Sequence, residues 1–222
     1  TTVVSTPMID VVAPAKNVGV IKTLTGFKYI GEKIRQFENK EIDGTYIFGF
    51  EESYGYLIGT HARDKDAIVS SLLIAEMAAY YNSQGTSIYK ELQKLYQEFG
   101  YYLEGIKSVT LTGKDGIEKM ANLMNDLREN VKDELIGKKI KVKRDFKTKK
   151  ELIIATGEEN DIQLPVENVI QFVLEDDTYI TARPSGTEPK IKFYFSVNAP
   201  TKEEVEKKLS ETMEKFVATL KL

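Results

Sequence analysis

The segment FGFEESYGY, residues 48–56, places carboxylates and a hydroxyl between glycines and aromatic residues, directly after an apolar run. Glu51 and Glu52 can accept hydrogen bonds, and Ser53 can both donate and accept them. The flanking glycines allow a tight loop. A carboxylate beside a hydroxyl suits the recognition of a sugar, whereas two adjacent glutamates without further Asp or His make a poor metal cage. Two solvated loop glutamates are the alternative that composition leaves open.

A second polar loop, TARPSGTEPK at residues 181–190, lies between two predicted strands. Arg183 offers a planar fork that suits phosphate, while Ser185 and Thr187 offer hydroxyl donors. Gly186 lets backbone N–H groups approach an anion closely. The spacing differs from that of a Walker loop, and a strand follows instead of a helix. The loop therefore predicts an anion cradle, with an ordinary Pro-Ser-Gly turn as the open alternative.

Two further basic positions lie in the same half of the chain as the glutamate loop. Lys28 follows Thr25 at a predicted helix start, where free N–H groups favour anions, and Thr25 could cap the helix or bind a ligand. Lys65 precedes another predicted helix, a position that is unfavourable for a lysine unless an acid or a ligand is near. A surface ion-pair cluster is the alternative. His61 is the only histidine, so neither a Ser-His-Asp triad nor a His-pair metal site can be built.

The run KKIKVKRDFKTKK, residues 138–150, carries eight basic residues and one acid. Its apolar residues alternate with the charges, as in a solvated edge strand, where lysines also discourage aggregation between sheets. Nucleic-acid binding is the rival interpretation, but the net charge of −3 and the few aromatic residues in the run weigh against it. We therefore expect an edge strand and no nucleic-acid partner.

The elements that must position these loops alternate in type over the first hundred residues. The β-rich runs and the helical patterns follow one another at 1–5, 7–17, 18–24, 27–39, 45–50, 65–82 and 86–100. Such alternation predicts an α/β domain with a mostly parallel sheet and helices on both faces. Ligands of these sheets gather beyond the carboxyl ends of the strands, which is where FEESYG lies.

The remainder of the chain changes character. A strand and a helix are followed by several β-rich runs, and a last helix over 202–220 begins with a Thr201–Glu204 capping-box pattern. This order indicates a small α+β domain with an antiparallel sheet and helices packed on one face. We predict two domains, residues 1–103 and residues 104–222.

Composition places the chain among globular proteins, with 222 residues, 41% apolar and 29% charged. The absence of cysteine excludes a disulfide framework, a thiolate nucleophile and a Cys-based zinc site. With no apolar run of bilayer length and no leader, we expect a cytoplasmic location and no membrane partner. Because TTVVS has the pattern of a strand without a lead-in or an initiating Met, the chain could be a fragment.

Three motifs together resemble the α-D-phosphohexomutases, the family of phosphoglucomutases and phosphomannomutases. TLTGFKYIGEKI, GFEESYGYLIGTHARDKDA and ARPSGTEPKIKFYFSV stand in the order and spacing that the family uses. The resemblance covers essentially the whole chain and implies the third and fourth of four family domains. The third would be a sugar-binding α/β domain, which could be truncated at its N-terminus, and the fourth a phosphate-binding α+β domain similar to the TATA-binding protein.

The resemblance implies a role for each matched residue. Glu51 and Ser53 match sugar-hydroxyl ligands, and Thr25 matches a residue that lines the substrate cleft. Lys65 matches the lysine of a Lys-Asp-Gly-type motif, in which Ala67 here replaces the glycine. It is implied to bind the sugar and is the one general acid or base that we nominate on this chain. The implied phosphate ligands are Arg183, Ser185, Gly186, Thr187 and Lys192.

The implied parent reaction interconverts hexose 1-phosphate and hexose 6-phosphate through a phosphoserine and a bisphosphate intermediate, with Mg²⁺ and glucose 1,6-bisphosphate as cofactors. The family's T-A-S-H-N-P and D-G-D-x-D-R loops, which carry the phosphoserine and the magnesium, do not occur in these residues. We expect this fragment to bind hexose phosphate, to hold no metal or cofactor itself, to lack activity alone, and to pair with the missing N-terminal domains. FEESYG is closer to the glucose-preferring form GEESFG than to the mannose and amino-sugar forms. A stand-alone, non-catalytic sugar-phosphate-binding module is the alternative.

Overall fold

A computed structural model of the chain describes residues 1–111, 115–186 and 188–220. The chain divides into two compact units, Thr1–Phe99 (unit 1) and Gly100–Leu222 (unit 2). A boundary after residue 103 stays a prediction, and strand β3, Tyr101–Thr110, runs across that position. Within the described residues, no helix has both the length and the apolar character that crossing a membrane requires.

Unit 1 consists of four helices and a hairpin. The helices are α1 (Ile9–Ala15), α2 (Phe27–Glu38), α3 (Ala67–Ser83) and α4 (Ile88–Phe99), and the hairpin strands are β1 (Phe48–Glu51) and β2 (Gly55–Ile58). All four helices lie close to their predicted bounds. The amphipathic α2 buries Phe27, Ile30 and Ile34 against Leu57 of the hairpin, and this cluster forms the core beneath the glutamate loop.

Parallel pairing in unit 1 is shorter than predicted. Among residues 1–99, all of which are described, it consists of one bridge between Thr2 and Thr23, with Val3 N–H donating to the Thr23 carbonyl at 2.9 Å. The first segment turns back on itself instead of extending, because Ser5 N–H donates to the Thr2 carbonyl at 3.2 Å. The third predicted strand, residues 45–50, overlaps β1, which pairs antiparallel with β2. Only three residues separate β1 from β2, a spacing that is typical of a hairpin. The α/β class of the unit is confirmed.

Unit 2 is an antiparallel sheet with two helices, as predicted for an α+β domain. Its strands are β3 (Tyr101–Thr110), β4 (Glu134–Leu135), β5 (Lys138–Asp145), β6 (Lys150–Ile153), β7 (Glu158–Asp161), β8 (Ile170–Leu174), β9 (Tyr179–Pro184) and β10 (Lys190–Ala199). The order in the sheet is β3-β10-β9-β8-β5-β6-β7, with β4 paired to β5.

The core of unit 2 lies between one face of this sheet and its two helices, α5 (Gly116–Glu129) and α6 (Lys202–Thr219). Met124 of α5 and Phe216 of α6 pack among alternate residues of the central strands, including Phe172 and Phe193. The Phe216 ring meets the Phe193 ring edge-on, with centroids 5.0 Å apart. The predicted Thr201–Glu204 capping box at the start of α6 is confirmed.

The basic run is not an edge strand, so that prediction is wrong. It forms β5, which pairs with β8 on one side and β6 on the other. Acidic side chains pair with part of its charges: Lys138 lies 2.6 Å from Asp176 and Lys141 lies 2.7 Å from Asp177. Alternating lysines are therefore compatible with a strand inside the sheet when acidic residues of a neighbouring segment pair with them.

Candidate functional site

Glu51 is the last residue of β1, and its carboxylate is buried, with 4% of the residue exposed. Ser53 Oγ donates a hydrogen bond to Glu51 Oε1 at 3.1 Å. Lys65 Nζ lies 3.0 Å from the same oxygen. Three side chains that sequence reasoning placed at a sugar site therefore meet at one carboxylate oxygen, which we call the Glu51 cluster.

The Glu51 cluster fixes the charge of Lys65. The hydrogen bond to the Glu51 carboxylate, together with the negative charge of Glu51, raises the pKa of Lys65 above its ordinary value. Lys65 is therefore an ammonium at neutral pH, which donates hydrogen bonds and has no lone pair with which to take up a proton. Such a group suits the binding of a hydroxyl or the stabilisation of negative charge better than the role of a general base.

The turn after β1 needs a glycine for steric reasons. A Cβ atom at Gly55 would lie 2.7 Å from Glu51 Cγ and 3.0 Å from Lys65 Cδ. Tyr54 adopts the left-handed conformation with φ 60° at the tip, where its side chain is 90% exposed. The backbone at Gly55 can therefore close over the Glu51 cluster while Tyr54 points into solvent.

Glu52 anchors this turn, a role that sequence reasoning missed. Thr2 Oγ1 donates to Glu52 Oε2 at 2.9 Å, and Thr2 is fully buried. The Ser5 hydroxyl lies 2.9 Å from Thr2 Oγ1 and completes a small polar network. The second glutamate thus ties the turn to the first residues of the chain, and the separation of 50 positions gave no local signal for it.

The start of α3 holds Lys65 between the hairpin and the helix. Asp66 caps α3 by accepting from the N–H groups of Ile68 at 2.9 Å and Val69 at 3.0 Å. The His61 ring is 2.9 Å from the same carboxyl group, and this hydrogen bond is the main reason that the pKa of Asp66 is lowered. Asp66 N–H also donates to the Tyr56 carbonyl at 2.8 Å, which joins the helix start to β2.

Thr25, the residue before the N-cap of α2, does not cap this helix. The N-cap residue is Gly26, with φ 122°, and no side chain caps the helix. The N–H groups at the start of α2 thus lack a side-chain partner, as an anion site would require. Lys28, the second residue of α2, has its Nζ atom 4.7 Å from the centre of the Tyr29 ring. Within residues 1–99, no hydrogen bond joins Thr25 to Glu51, Ser53 or Lys65.

In unit 2, two cations of the predicted phosphate site are cross-strand neighbours. Arg183 of β9 is directly opposite Lys192 of β10, so both side chains leave the same face of the sheet. The connecting loop is closed by a hydrogen bond from Ser185 N–H to the Lys190 carbonyl at 2.7 Å. A Cβ atom at Gly186 would meet nothing within 4 Å, so the backbone there is open to approach. Thr187 lies outside the described residues.

Arg183 already has an acidic partner. Its Nε and Nη2 atoms lie 3.4 and 3.3 Å from Glu167 Oε1. The other oxygen, Oε2, is buried and has no hydrogen-bond partner among the described residues. Sequence reasoning missed this pair, because Glu167 lies 16 positions before Arg183 in a segment without a motif.

Comparison with known proteins shows what the chain is similar to. Residues 1–99 match the family described as phosphoglucomutase/phosphomannomutase, alpha/beta/alpha domain III. The phosphoglucomutase of Staphylococcus aureus strain MRSA252 is 36% identical over 208 residues, which cover 94% of this chain and 37% of that protein. Residues 1–99 thus resemble the third domain of this family, and the similarity to a phosphoglucomutase extends over nearly the whole chain. The phosphoglucomutase of Staphylococcus haemolyticus is also 36% identical, over 193 residues that cover 87% of this chain and 34% of that protein.

The fold of the chain also matches a solved structure. The crystal structure of pp63/parafusin from Paramecium, a phosphoglucomutase in its open form, superposes with a TM-score of 0.65 at 18% identity. The match covers 97% of this chain and 37% of that one. The chain thus spans between about a third and two fifths of the length of the phosphoglucomutases that it matches.

The described residues of this chain offer no ligand set for the magnesium that the resemblance implies. No group of three or more His, Cys, Asp or Glu side chains is arranged to hold a metal ion in residues 1–111, 115–186 and 188–220. Glu51, the most buried of the candidate carboxylates, is instead committed to Ser53 and Lys65.

Proposed function

We propose that this chain is the hexose phosphate-binding part of a phosphoglucomutase-type enzyme. The observation that carries the proposal is the Glu51 cluster, in which a buried carboxylate is shared by a serine hydroxyl and a lysine ammonium at the end of a strand. The relationship to phosphoglucomutases over 94% of the chain supports it.

In this proposal the Glu51 cluster reads sugar hydroxyls. Glu51 accepts from a sugar O–H, and the exposed Ser53 hydroxyl, whose hydrogen is donated to Glu51, accepts from a second one. Lys65 donates to a sugar oxygen with a permanently charged ammonium, since its pKa is raised. Thr25 adds a hydroxyl at the start of α2. A charged acceptor gives a stronger hydrogen bond than a neutral one, so the cluster would fix the orientation of the sugar.

Unit 2 supplies the contacts to the phosphate that is not transferred. Arg183 and Lys192 provide two positive charges on neighbouring strands, and the backbone at Ser185 and Gly186 provides an open approach. Thr187 is proposed as a further ligand on the basis of the family motif. A bidentate arginine fixes the orientation of a phosphate, while a lysine adds charge without a preferred direction.

The parent enzyme would interconvert hexose 1-phosphate and hexose 6-phosphate through a phosphoserine on the part of the protein not included in this chain. When bound there, Mg²⁺ would neutralise the charge that develops on the transferred phosphoryl group. The residues of this chain bind and orient the two ends of the substrate, an effect that alone lowers barriers substantially. We propose that this chain without the rest of the enzyme binds substrate and does not turn it over.

The test is expression of the coding sequence that precedes Thr1 together with this chain. The proposal predicts that the longer product contains T-A-S-H-N-P and D-G-D-x-D-R loops and interconverts glucose 1-phosphate and glucose 6-phosphate. Arg183→Ala should lower kcat/KM by roughly tenfold to a hundredfold, since a hydrogen bond to a charged group is lost. An upstream sequence without these loops would favour a non-catalytic binding module instead.

A further inference from the structure

Glu167 is an acid at the one place in unit 2 where an anion is proposed to bind. It lies three positions before β8, the strand that pairs with β9, and its backbone is fixed by a hydrogen bond from Glu167 N–H to the Phe146 carbonyl at 3.3 Å. Val169 N–H donates to the Glu167 carbonyl at 2.8 Å. These two backbone hydrogen bonds fix the position of Glu167, and its carboxylate can therefore fix the orientation of the Arg183 guanidinium.

The geometry of the pair leaves part of the arginine unused. Both contacts run from the Nε–Nη2 edge of Arg183 to a single oxygen of Glu167. A guanidinium has five N–H donors in a rigid fork, so fixing one edge sets the direction of the remaining donors. Arg183 and Glu167 are each about a quarter to a third exposed, which leaves the guanidinium accessible to a ligand.

The charges are also suited to reversible binding. Arg183 and Lys192 carry two positive charges, and Glu167 cancels one of them. A phosphate that must enter and leave in every catalytic cycle is served by a moderate attraction and a well-defined orientation. The buried Oε2 atom, which lacks a partner among the described residues, shows that this carboxylate is not placed for the best ion pairing alone.

We propose that Glu167 is a positioning residue of the phosphate site, which holds the Arg183 guanidinium by one edge so that the other edge receives a phosphate oxygen. This inference rests on the proposed phosphate-binding role of Arg183. Glu167 itself touches no substrate in this account. It acts through Arg183 as a hydrogen-bond acceptor, and its negative charge limits the affinity.

Two neutral variants separate these effects. Glu167→Gln removes the charge and keeps an acceptor oxygen, whereas Glu167→Ala removes both. Phosphate affinity is measured by NMR titration of the full chain with inorganic phosphate, together with the Arg183 Nε–H signal. We expect Glu167→Gln to bind at least as tightly as the wild type and Glu167→Ala to bind about threefold to tenfold more weakly than Glu167→Gln, the value of one hydrogen bond.

The Arg183 Nε–H signal distinguishes a positioning role from a purely stabilising one. If the ion pair only stabilised the fold, the response of this signal to phosphate would not depend on the residue at position 167. It should remain sharp and shift on phosphate addition in Glu167→Gln, and broaden in Glu167→Ala. Equal phosphate affinities for Glu167→Gln and Glu167→Ala would overturn the positioning role. A wild type that binds phosphate no better than Arg183→Ala would instead overturn the phosphate site, and the inference with it.

Discussion

Lys65 Nζ and Glu51 Oε1 are 3.0 Å apart, which joins an almost fully buried carboxylate to a half-exposed ammonium. The two residues come from different elements, since Glu51 ends β1 and Lys65 precedes the N-cap of α3. The pair therefore links the sugar-reading turn to the helix that follows it. Because Ser53 donates to the same oxygen, the pair also arranges the hydroxyl that is proposed to contact substrate.

Glu51→Gln should lower the pKa of Lys65 toward its ordinary value of 10.5. The hydrogen bond to the Glu51 carboxylate and the charge of Glu51 are the largest causes of the raised pKa, and both involve the group that this substitution neutralises. The measurement is a pH titration of the Lys65 side chain by NMR. Glu52→Gln is the matched control and should lower the pKa by less, and an unchanged pKa in Glu51→Gln would contradict the assignment.

Gly55→Ala should disturb the Glu51 cluster without a change in charge. The new methyl group would sit 2.7 Å from Glu51 Cγ, so the side chains must shift at a cost of about 1–3 kcal/mol in unfolding free energy. Urea denaturation measures this cost. Gly19→Ala is the control, because a Cβ atom there meets nothing within 4 Å. Equal stabilities of the two variants would show that the turn is less tightly packed than described.

Arg128→Ala should destabilise unit 2 strongly. Arg128 Nε lies 3.2 and 3.3 Å from the two Asp145 oxygens, and only 10% and 14% of the two side chains are exposed. Removing the arginine takes the ion-pair partner from a carboxylate that is mostly shielded from solvent, and the loss of such a charged hydrogen bond costs about 1.5–3 kcal/mol. Lys141→Ala is the comparison, since Lys141 and Asp177 are each 54% exposed and such pairs contribute less than about 1 kcal/mol. A similar loss in both variants, measured by denaturation, would contradict this ranking.

Asp176→Asn should make the free energy of unfolding less dependent on pH in the acidic range. Although burial alone would raise the pKa of Asp176, hydrogen bonds from Lys138 at 2.6 Å and Lys208 at 3.0 Å hold it well below its usual range. For a carboxylate with a depressed folded pKa, the stabilisation is complete above the unfolded pKa and fades as pH falls toward the folded pKa.

We therefore expect Asp176→Asn to cost about 1–3 kcal/mol near pH 7, a difference that shrinks steadily below about pH 4. Thermal denaturation of the wild type and the variant across this pH range provides the measurement. A difference between them that stays constant from pH 7 down to pH 2 would show that the two lysine contacts do not set the pKa of Asp176.

Helices were easier to predict from the sequence than strands. The apolar stripe of α2, with Ile30 and Ile34 buried, and the capping box of α6 are local signals that tertiary packing does not override. Strands β6 and β7 lack such a signal, since KELI and EEND carry little apolar alternation and are defined by their pairing. Strand β5 lies inside the sheet because it pairs with both β6 and β8, and the acids at 176 and 177 that pair with its lysines are distant in sequence.

In the candidate site, too, local sequence signals predicted some residues, whereas other residues are defined only by the fold. Residue types and motif spacing predicted Glu51, Ser53 and Lys65 individually, and the structure brings these three together. The partners that fix them, Thr2 for the turn and Glu167 for Arg183, are ordinary residues far along the chain. No local pattern distinguishes such residues, because their roles arise from the fold that places them.

The most direct measurement is an NMR titration of the full chain with glucose 1-phosphate and, separately, with inorganic phosphate. The account predicts that glucose 1-phosphate shifts the amide signals of residues 51–55 and the Arg183 Nε–H signal, whereas inorganic phosphate shifts only the latter. In Glu51→Gln the response of residues 51–55 should be lost while the Arg183 response remains. Amide signals of residues 51–55 that ignore glucose 1-phosphate, or that respond equally to phosphate alone, would contradict the claim that this turn reads the sugar.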